Sequence, residues 1–169
     1  MRRPSHRSRG AFTIIEAALA SVVVATMLAA ALGAAGSAAT SRARALWRVQ
    51  GQNLAAALLS EATAKAYSDP DLVSVGLGPD LGESHADRST LDDTDDFNGY
   101  VQSPPRSAAG TRLVAESGWS WSCSVAWVSP SNPGGSAALL DTGLKRITVV
   151  VTRNKVEVGR LVGLVSSAK

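Results

Sequence analysis

The chain has 169 residues, a length that accommodates one modest domain and an additional apolar segment rather than two domains. Four of its 17 Lys and Arg residues lie in residues 1–11, which leaves 13 against 14 Asp and Glu in the remainder. This balance excludes the basic surface of a nucleic-acid-binding protein. The single cysteine, Cys123, excludes an intramolecular disulfide and a multi-cysteine zinc site.

Residues 12–39 form an almost uninterrupted apolar run, and a short basic leader, residues 1–11, precedes it. The run is longer than the roughly 20 residues that a membrane-spanning helix needs. Its single charged residue is Glu16. A carboxylate costs roughly 2.5 kcal/mol or more near the centre of a bilayer and less near its edge. Such a charge indicates a function and requires a partner.

The seven residues from Gly10 to Glu16, GAFTIIE, resemble the processing site of type IV pilins and type II secretion pseudopilins. The resemblance implies cleavage by a prepilin peptidase, N-methylation of Phe12 and a glutamate as the fifth mature residue, where Glu16 lies. Cleavage between Ala11 and Phe12 keeps this register, although Ala11 stands where glycine is usual. Cleavage after Gly10 would restore the glycine and make Glu16 the sixth residue.

Cleavage before Phe12 would expose an ammonium group beside an apolar helix that carries one carboxylate. The ammonium of one subunit and Glu16 of its neighbour could pair, which offsets their desolvation and fixes the stagger of the helices. Two interpretations compete with this one. The first is a permanent single-pass anchor, which would not need Glu16. The second is a secretory signal peptide cleaved near Gly36, but signal peptides usually have an apolar region of only about 7–15 residues, shorter than the run of residues 12–39.

The resemblance also implies a location and partners. We expect a single-pass protein of the inner membrane with a cytoplasmic N-terminus and a periplasmic C-terminal domain, which enters a periplasmic or surface fibre. Its partners would be other pilin or pseudopilin subunits, the prepilin peptidase and an inner-membrane assembly platform. The positive-inside rule supports this orientation only weakly, because Arg42, Arg44 and Arg48 follow the apolar run.

The helical pattern continues through residues 40–68 with a half-polar composition. The helix is predicted to end near Tyr67, because Asp69 precedes a proline and is disfavoured in helical geometry. Five apolar residues at three- and four-residue steps are predicted to face a globular domain that spans residues 40–169: Leu46, Val49, Leu54, Leu58 and Ala62.

Residues 69–118 lack a sustained period and are predicted to form a loop region with one short strand or helical turn. Its acidic segment offers oxygen ligands for calcium, which some pseudopilins hold in a loop before their strands. The spacing does not fit an EF-hand, and the alternative is a turn in which aspartates cap backbone amides. The candidate ligands are Asp92, Asp93, Asp95, Asp96 and Asn98.

Residues 119–169 are predicted to form an antiparallel sheet. Large apolar residues alternate with serine and alanine from Trp119 to Val128, which predicts a strand with one buried face. Two β-branched runs, residues 144–152 and 155–165, predict a hairpin with its turn at Arg153–Asn154. The predicted fold class is therefore α+β, with a long N-terminal helix under three or four antiparallel strands. The pilin resemblance implies the same layout.

The sequence favours a structural subunit over an enzyme. It lacks a nucleophile elbow, a phosphate-binding glycine loop and a His-Glu zinc motif. His85, the only histidine after the leader, is predicted to lie in a solvent-exposed loop with Asp87. The rival interpretation is an exported, non-catalytic binding domain whose N-terminus serves only as a signal or anchor.

Overall fold

The computed structural model describes residues 13–69 and 76–167 and confirms the predicted α+β fold class. One long helix precedes a 3-10 turn and an antiparallel sheet with the strand order β1-β2-β3-β4. The elements are helix α1 (Ile14–Thr63), the 3-10 turn (Asp95–Phe97), and strands β1 (Val101–Gln102), β2 (Trp119–Trp127), β3 (Leu144–Arg153) and β4 (Val156–Ser166).

The chain divides into two compact units between Arg44 and Ala45. The described part of the first unit is the apolar part of α1. The second unit holds the last five turns of α1, the loops and the sheet. Its core joins the buried side of α1 to the inner faces of β2 and β3.

Helix α1 ends at Thr63, which corrects the predicted end near Tyr67. The residues after Thr63 leave the helix because they pair with the acidic loop. Ala66 forms a parallel bridge with Asp93, and the Thr94 amide donates to the Ala66 carbonyl at 2.9 Å. A tertiary contact, rather than the proline that follows Asp69, therefore ends the helix.

The buried side of α1 differs in part from the predicted one. Leu54, Leu58 and Ala62 are buried as predicted, whereas Leu46 and Val49 are exposed. Gly51 and Ala55 take their place on the buried side. These small residues allow the helix to approach β4 closely, since a Cβ added at Gly51 would lie 2.7 Å from the Val158 carbonyl oxygen.

Strand β2 has the predicted alternation, with a buried face that Trp119, Trp121, Cys123 and Val125 form together. Strands β3 and β4 form the predicted hairpin. Its turn lies at Asn154–Lys155, one residue later than predicted. Both turn residues have positive φ, 50° and 66°, which is typical of the two-residue turns that match the twist of a hairpin.

None of the valines of β4 is fully buried. The pairing of β3 with β4 shifts between Val151 and Thr152, so Val156 and Gly159 lie on either side of an irregularity. Val156 is exposed, and so are Val162 and Leu164. The inner face of β4 instead carries glycines where α1 comes closest, because a Cβ at Gly159 would lie 2.4 Å from the Gly51 carbonyl carbon.

Candidate functional site

The first part of α1 presents a continuous apolar surface. Every residue from Thr13 to Arg42 is exposed. None of the residues in the most apolar part of α1 is buried in the structure, and the helix is long and apolar enough to span a membrane. Such a surface is stable only in lipid or against other apolar surfaces.

Glu16 caps the start of this helix. Its Oε2 accepts the Thr13 amide at 3.1 Å and the Thr13 hydroxyl at 3.2 Å, and the Glu16 amide donates to Thr13 Oγ1 at 3.2 Å. This reciprocal arrangement is a capping box. The Glu16 carboxylate thus has partners in its own chain, a role that the Thr-x-x-Glu spacing could have indicated.

The predicted processing residues Gly10, Ala11 and Phe12 lie outside the described residues. The predicted pairing of Glu16 with the N-terminal amine of a neighbouring subunit therefore stays a prediction.

The acidic loop folds by capping its own amides. Asp93 Oδ1 accepts the Asp95 amide at 2.6 Å and the Asp96 amide at 3.1 Å. Asp96 Oδ2 accepts the amides of Asp92 and Asp93, each at 2.9 Å. The two side chains tie the segment into the 3-10 turn, which is the backbone-capping role given above as the alternative to calcium.

Two further candidate ligands also bind protein groups. Asp95 Oδ2 accepts Lys145 Nζ at 2.7 Å, and the two side chains are only 4% and 1% exposed. Asn98 Oδ1 accepts the Val125 amide at 3.1 Å, which joins the loop to β2. The five predicted ligands therefore do not converge on one point.

A different carboxylate set does converge. Glu83, Asp92 and Asp96 each place an oxygen within 4.8 Å of the others. Asp92 and Glu83 also border a cavity of about 260 Å³ whose wall includes Asp69 and Asp80. Oxygen donors of this kind suit calcium. Calcium binding by the acidic loop stays a prediction, now with Glu83 among its candidate ligands.

Three carboxyl groups of this region, those of Glu83, Asp93 and Asp96, have a raised pKa. Burial raises the pKa of Glu83, and a hydrogen bond to Asp96 raises it further. Burial also raises the pKa of Asp96. Burial and the nearby charge of Asp95 raise the pKa of Asp93 to about 6. The loop thus concentrates carboxyl groups in positions where ionisation is costly.

The structure corrects the predicted exposure of His85. The imidazole is half-buried, its Nε2 lies 2.7 Å from the Asp96 carbonyl oxygen, and its ring meets Tyr100 edge-on at 5.6 Å. Asp87 instead accepts the amide and hydroxyl of Ser89. His85 therefore packs the acidic loop against the domain core.

Sequence reasoning missed Glu83 and Lys145. Glu83 had no local signal, because it reaches Asp96 only through the fold of its loop. Lys145 did have a local signal in the sequence. It lies in register with Ile147, Val149 and Val151, and alternation with a period of two residues places all four on the inner face of β3.

No protein-family model, curated protein or solved structure matches the chain. The likeness to pilins at the level of structure is architectural: a long apolar N-terminal helix whose second part packs on a small antiparallel sheet.

Proposed function

We propose that the chain is a structural subunit of a type IV pilus or type II secretion fibre. The observation that most supports this proposal is the apolar surface of α1 between Thr13 and Arg42, which no other described residue covers. Lipid covers this surface before assembly, and the helices of other subunits cover it in the fibre.

The position of the one charge in this surface supports the proposal. Glu16 lies in the first turn of α1, where its carboxylate is bound to Thr13. In an unassembled subunit, these hydrogen bonds reduce the cost of holding a carboxylate at the membrane edge. In the fibre, Glu16 exchanges part of them for the ammonium of a neighbouring Phe12.

The prepilin peptidase removes residues 1–11 on the cytoplasmic side and leaves an N-methylated Phe12. The mature subunit stays in the inner membrane with residues 45–169 in the periplasm until an assembly platform adds it to the fibre. Residues 45–54, ALWRVQGQNL, loosely resemble minor pilins and minor pseudopilins, which favours a low-copy subunit that initiates or caps the fibre. No catalytic role is part of this proposal.

N-terminal sequencing of the full chain from membranes, with and without the prepilin peptidase, tests the processing step. We expect a methylated Phe12 only when the peptidase is present. An unprocessed Met1 under both conditions would leave the alternative of a membrane-anchored binding domain. A terminus near residue 39 would mean that the helix is discarded, and the fibre role would be wrong.

Two substitutions at Glu16 test the assembly step. Glu16→Gln preserves the capping box, because glutamine also accepts at this position, but it removes the charge. Glu16→Ala removes both the capping box and the charge. If the charge pairs with a neighbouring amine, both variants should be inserted into membranes yet fail to enter fibres. Fibres that contain Glu16→Gln at the wild-type level would contradict the pairing.

A further inference from the structure

Lys145 and Asp95 form a buried pair that the proposed function does not use. Lys145 Nζ donates to Asp95 Oδ2 at 2.7 Å and to the Tyr67 carbonyl, and it lies 4.0 Å from the centroid of the Tyr67 ring. The two side chains are 1% and 4% exposed. A primary amine and a carboxyl group are therefore held together away from water.

We propose that this site forms an intramolecular amide bond between Lys145 Nζ and Asp95 Cγ. Lys145 Nζ and Asp95 Oδ2 already share a hydrogen bond of 2.7 Å, along which a proton passes from Nζ to Oδ2 and leaves an amine and a carboxylic acid. The amine attacks Cγ, the Nζ–Cγ bond forms, and the Cγ–Oδ2 bond breaks as Oδ2 leaves with two protons as water. The reaction balances without an oxidant, a reductant or a co-reactant.

The surroundings favour this reaction in two ways. Three contacts hold Nζ beside the Asp95 carboxyl group, with Oδ2 at 2.7 Å, which replaces a bimolecular encounter by a fixed geometry. The amide also removes two buried charges, each of which is costly away from water. The amide N–H that remains on Nζ can still donate to the Tyr67 carbonyl, and Asp95 Oδ1, which has no hydrogen-bond partner among the described residues, becomes the amide oxygen.

The bond would join distant parts of the second unit. Asp95 lies in the 3-10 turn of the acidic loop, and Lys145 lies in β3, fifty residues later. A covalent link would fasten the loop to the sheet independently of the fibre role.

Intact-mass measurement and tryptic mapping of the purified full chain test the proposal. From cells without the prepilin peptidase, we expect an intact mass below that of the sequence by one water. We also expect one branched peptide that joins residues 89–106 to residues 113–146, because trypsin cannot cleave at an acylated Lys145. The full mass together with linear peptides that end at Lys145 would overturn the proposal.

Asp95→Ala and Lys145→Met provide the controls. Each should have the full mass of its own sequence and no branched peptide. Asp141→Asn, which changes a carboxylate bound to the Tyr67 hydroxyl at 2.5 Å, should retain the branched peptide. A mass deficit of one water in Asp95→Ala or Lys145→Met would place the loss elsewhere and contradict the assignment.

Discussion

The two parts of helix α1 use small and apolar residues for opposite purposes. Between Thr13 and Arg42 the helix is apolar and exposed on all sides. From Ala45 to Thr63 it is half polar, and its buried side consists of Gly51, Ala55, Ala62 and two leucines. The comparison teaches that apolar content alone does not locate the core of this protein, because contact with the sheet selects the narrow, small-residue side of α1.

The largest expected difference between the two parts is the loss in the free energy of unfolding when a leucine is replaced by alanine. Leu58 is fully buried in the core, whereas Leu28 is exposed. Leu58→Ala should lower the free energy of unfolding of the second unit by about 2–5 kcal/mol, because it leaves a cavity. Urea unfolding in detergent, followed by tryptophan fluorescence, measures this change, since all four tryptophans lie after Arg44.

Leu28→Ala is the matched control for Leu58→Ala. It shortens the same side chain in the same helix and should leave the unfolding of the second unit unchanged. Equal losses in the two variants would contradict the division of α1 into an uncovered and a packed part.

A second pair of substitutions compares two glycines of α1. A Cβ at Gly51 would lie 2.7 Å from the Val158 carbonyl oxygen, a backbone atom, whereas a Cβ at Gly36 would meet nothing within 4 Å. Gly51→Ala should therefore lower the free energy of unfolding by about 1–3 kcal/mol through overpacking. The same urea experiment measures it.

Gly36→Ala is the control for this pair. Alanine favours a helix over glycine by roughly 1 kcal/mol, so the variant should retain the wild-type stability or exceed it. A Gly51→Ala variant that is as stable as Gly36→Ala would mean that α1 does not approach β4 as closely as the structure shows.

Local patterns predicted the elements of the fold well, because each element carries its own periodicity. The alternation of tryptophan with serine predicts strand β2, and the apolar run predicts the first part of α1. The end of α1 was not predictable in this way, because the pairing of Ala66 with Asp93 depends on a loop that lies far along the chain. The inner face of β4 had only a weak signal in the sequence, because two of its residues that approach α1, Gly159 and Gly163, carry no apolar side chain.

The candidate site was predicted less completely. The sequence indicated Glu16 as a functional charge, and its Thr-x-x-Glu spacing was a signal for the hydrogen bonds to Thr13 that the prediction did not use. The acidic segment was singled out as a possible calcium site, which stays a prediction, and its spacing could not reveal that Asp93 and Asp95 turn inward. That direction depends on Lys145 in β3 and on the 3-10 turn, both of which are products of the tertiary fold.

The smallest expected effect concerns charge burial, and here Asp93 contrasts with Asp87. The pKa of Asp93 is raised to about 6, mainly by burial and then by the charge of Asp95. An ordinary aspartate in the unfolded chain ionises near 3.9. The folded chain thus binds an additional proton between these two pKa values, so the contribution of Asp93 to stability falls as the pH rises from about 4 to about 6.

Asp93→Asn should remove this penalty while its Oδ1 continues to accept the two backbone amides. We expect a gain in the free energy of unfolding on the order of 1 kcal/mol at pH 7 that disappears near pH 4.

Asp87→Asn is the control for Asp93→Asn. Hydrogen bonds from Ser89 lower the pKa of exposed Asp87, so Asp87→Asn should instead be slightly less stable at pH 7, with a difference that shrinks as the pH falls. Urea unfolding of both variants between pH 4 and pH 7 measures the two slopes. A loss of stability in Asp93→Asn at pH 7 would show that a cation or a buried donor already compensates the Asp93 charge, and the contrast between the buried and the exposed aspartate would then fail.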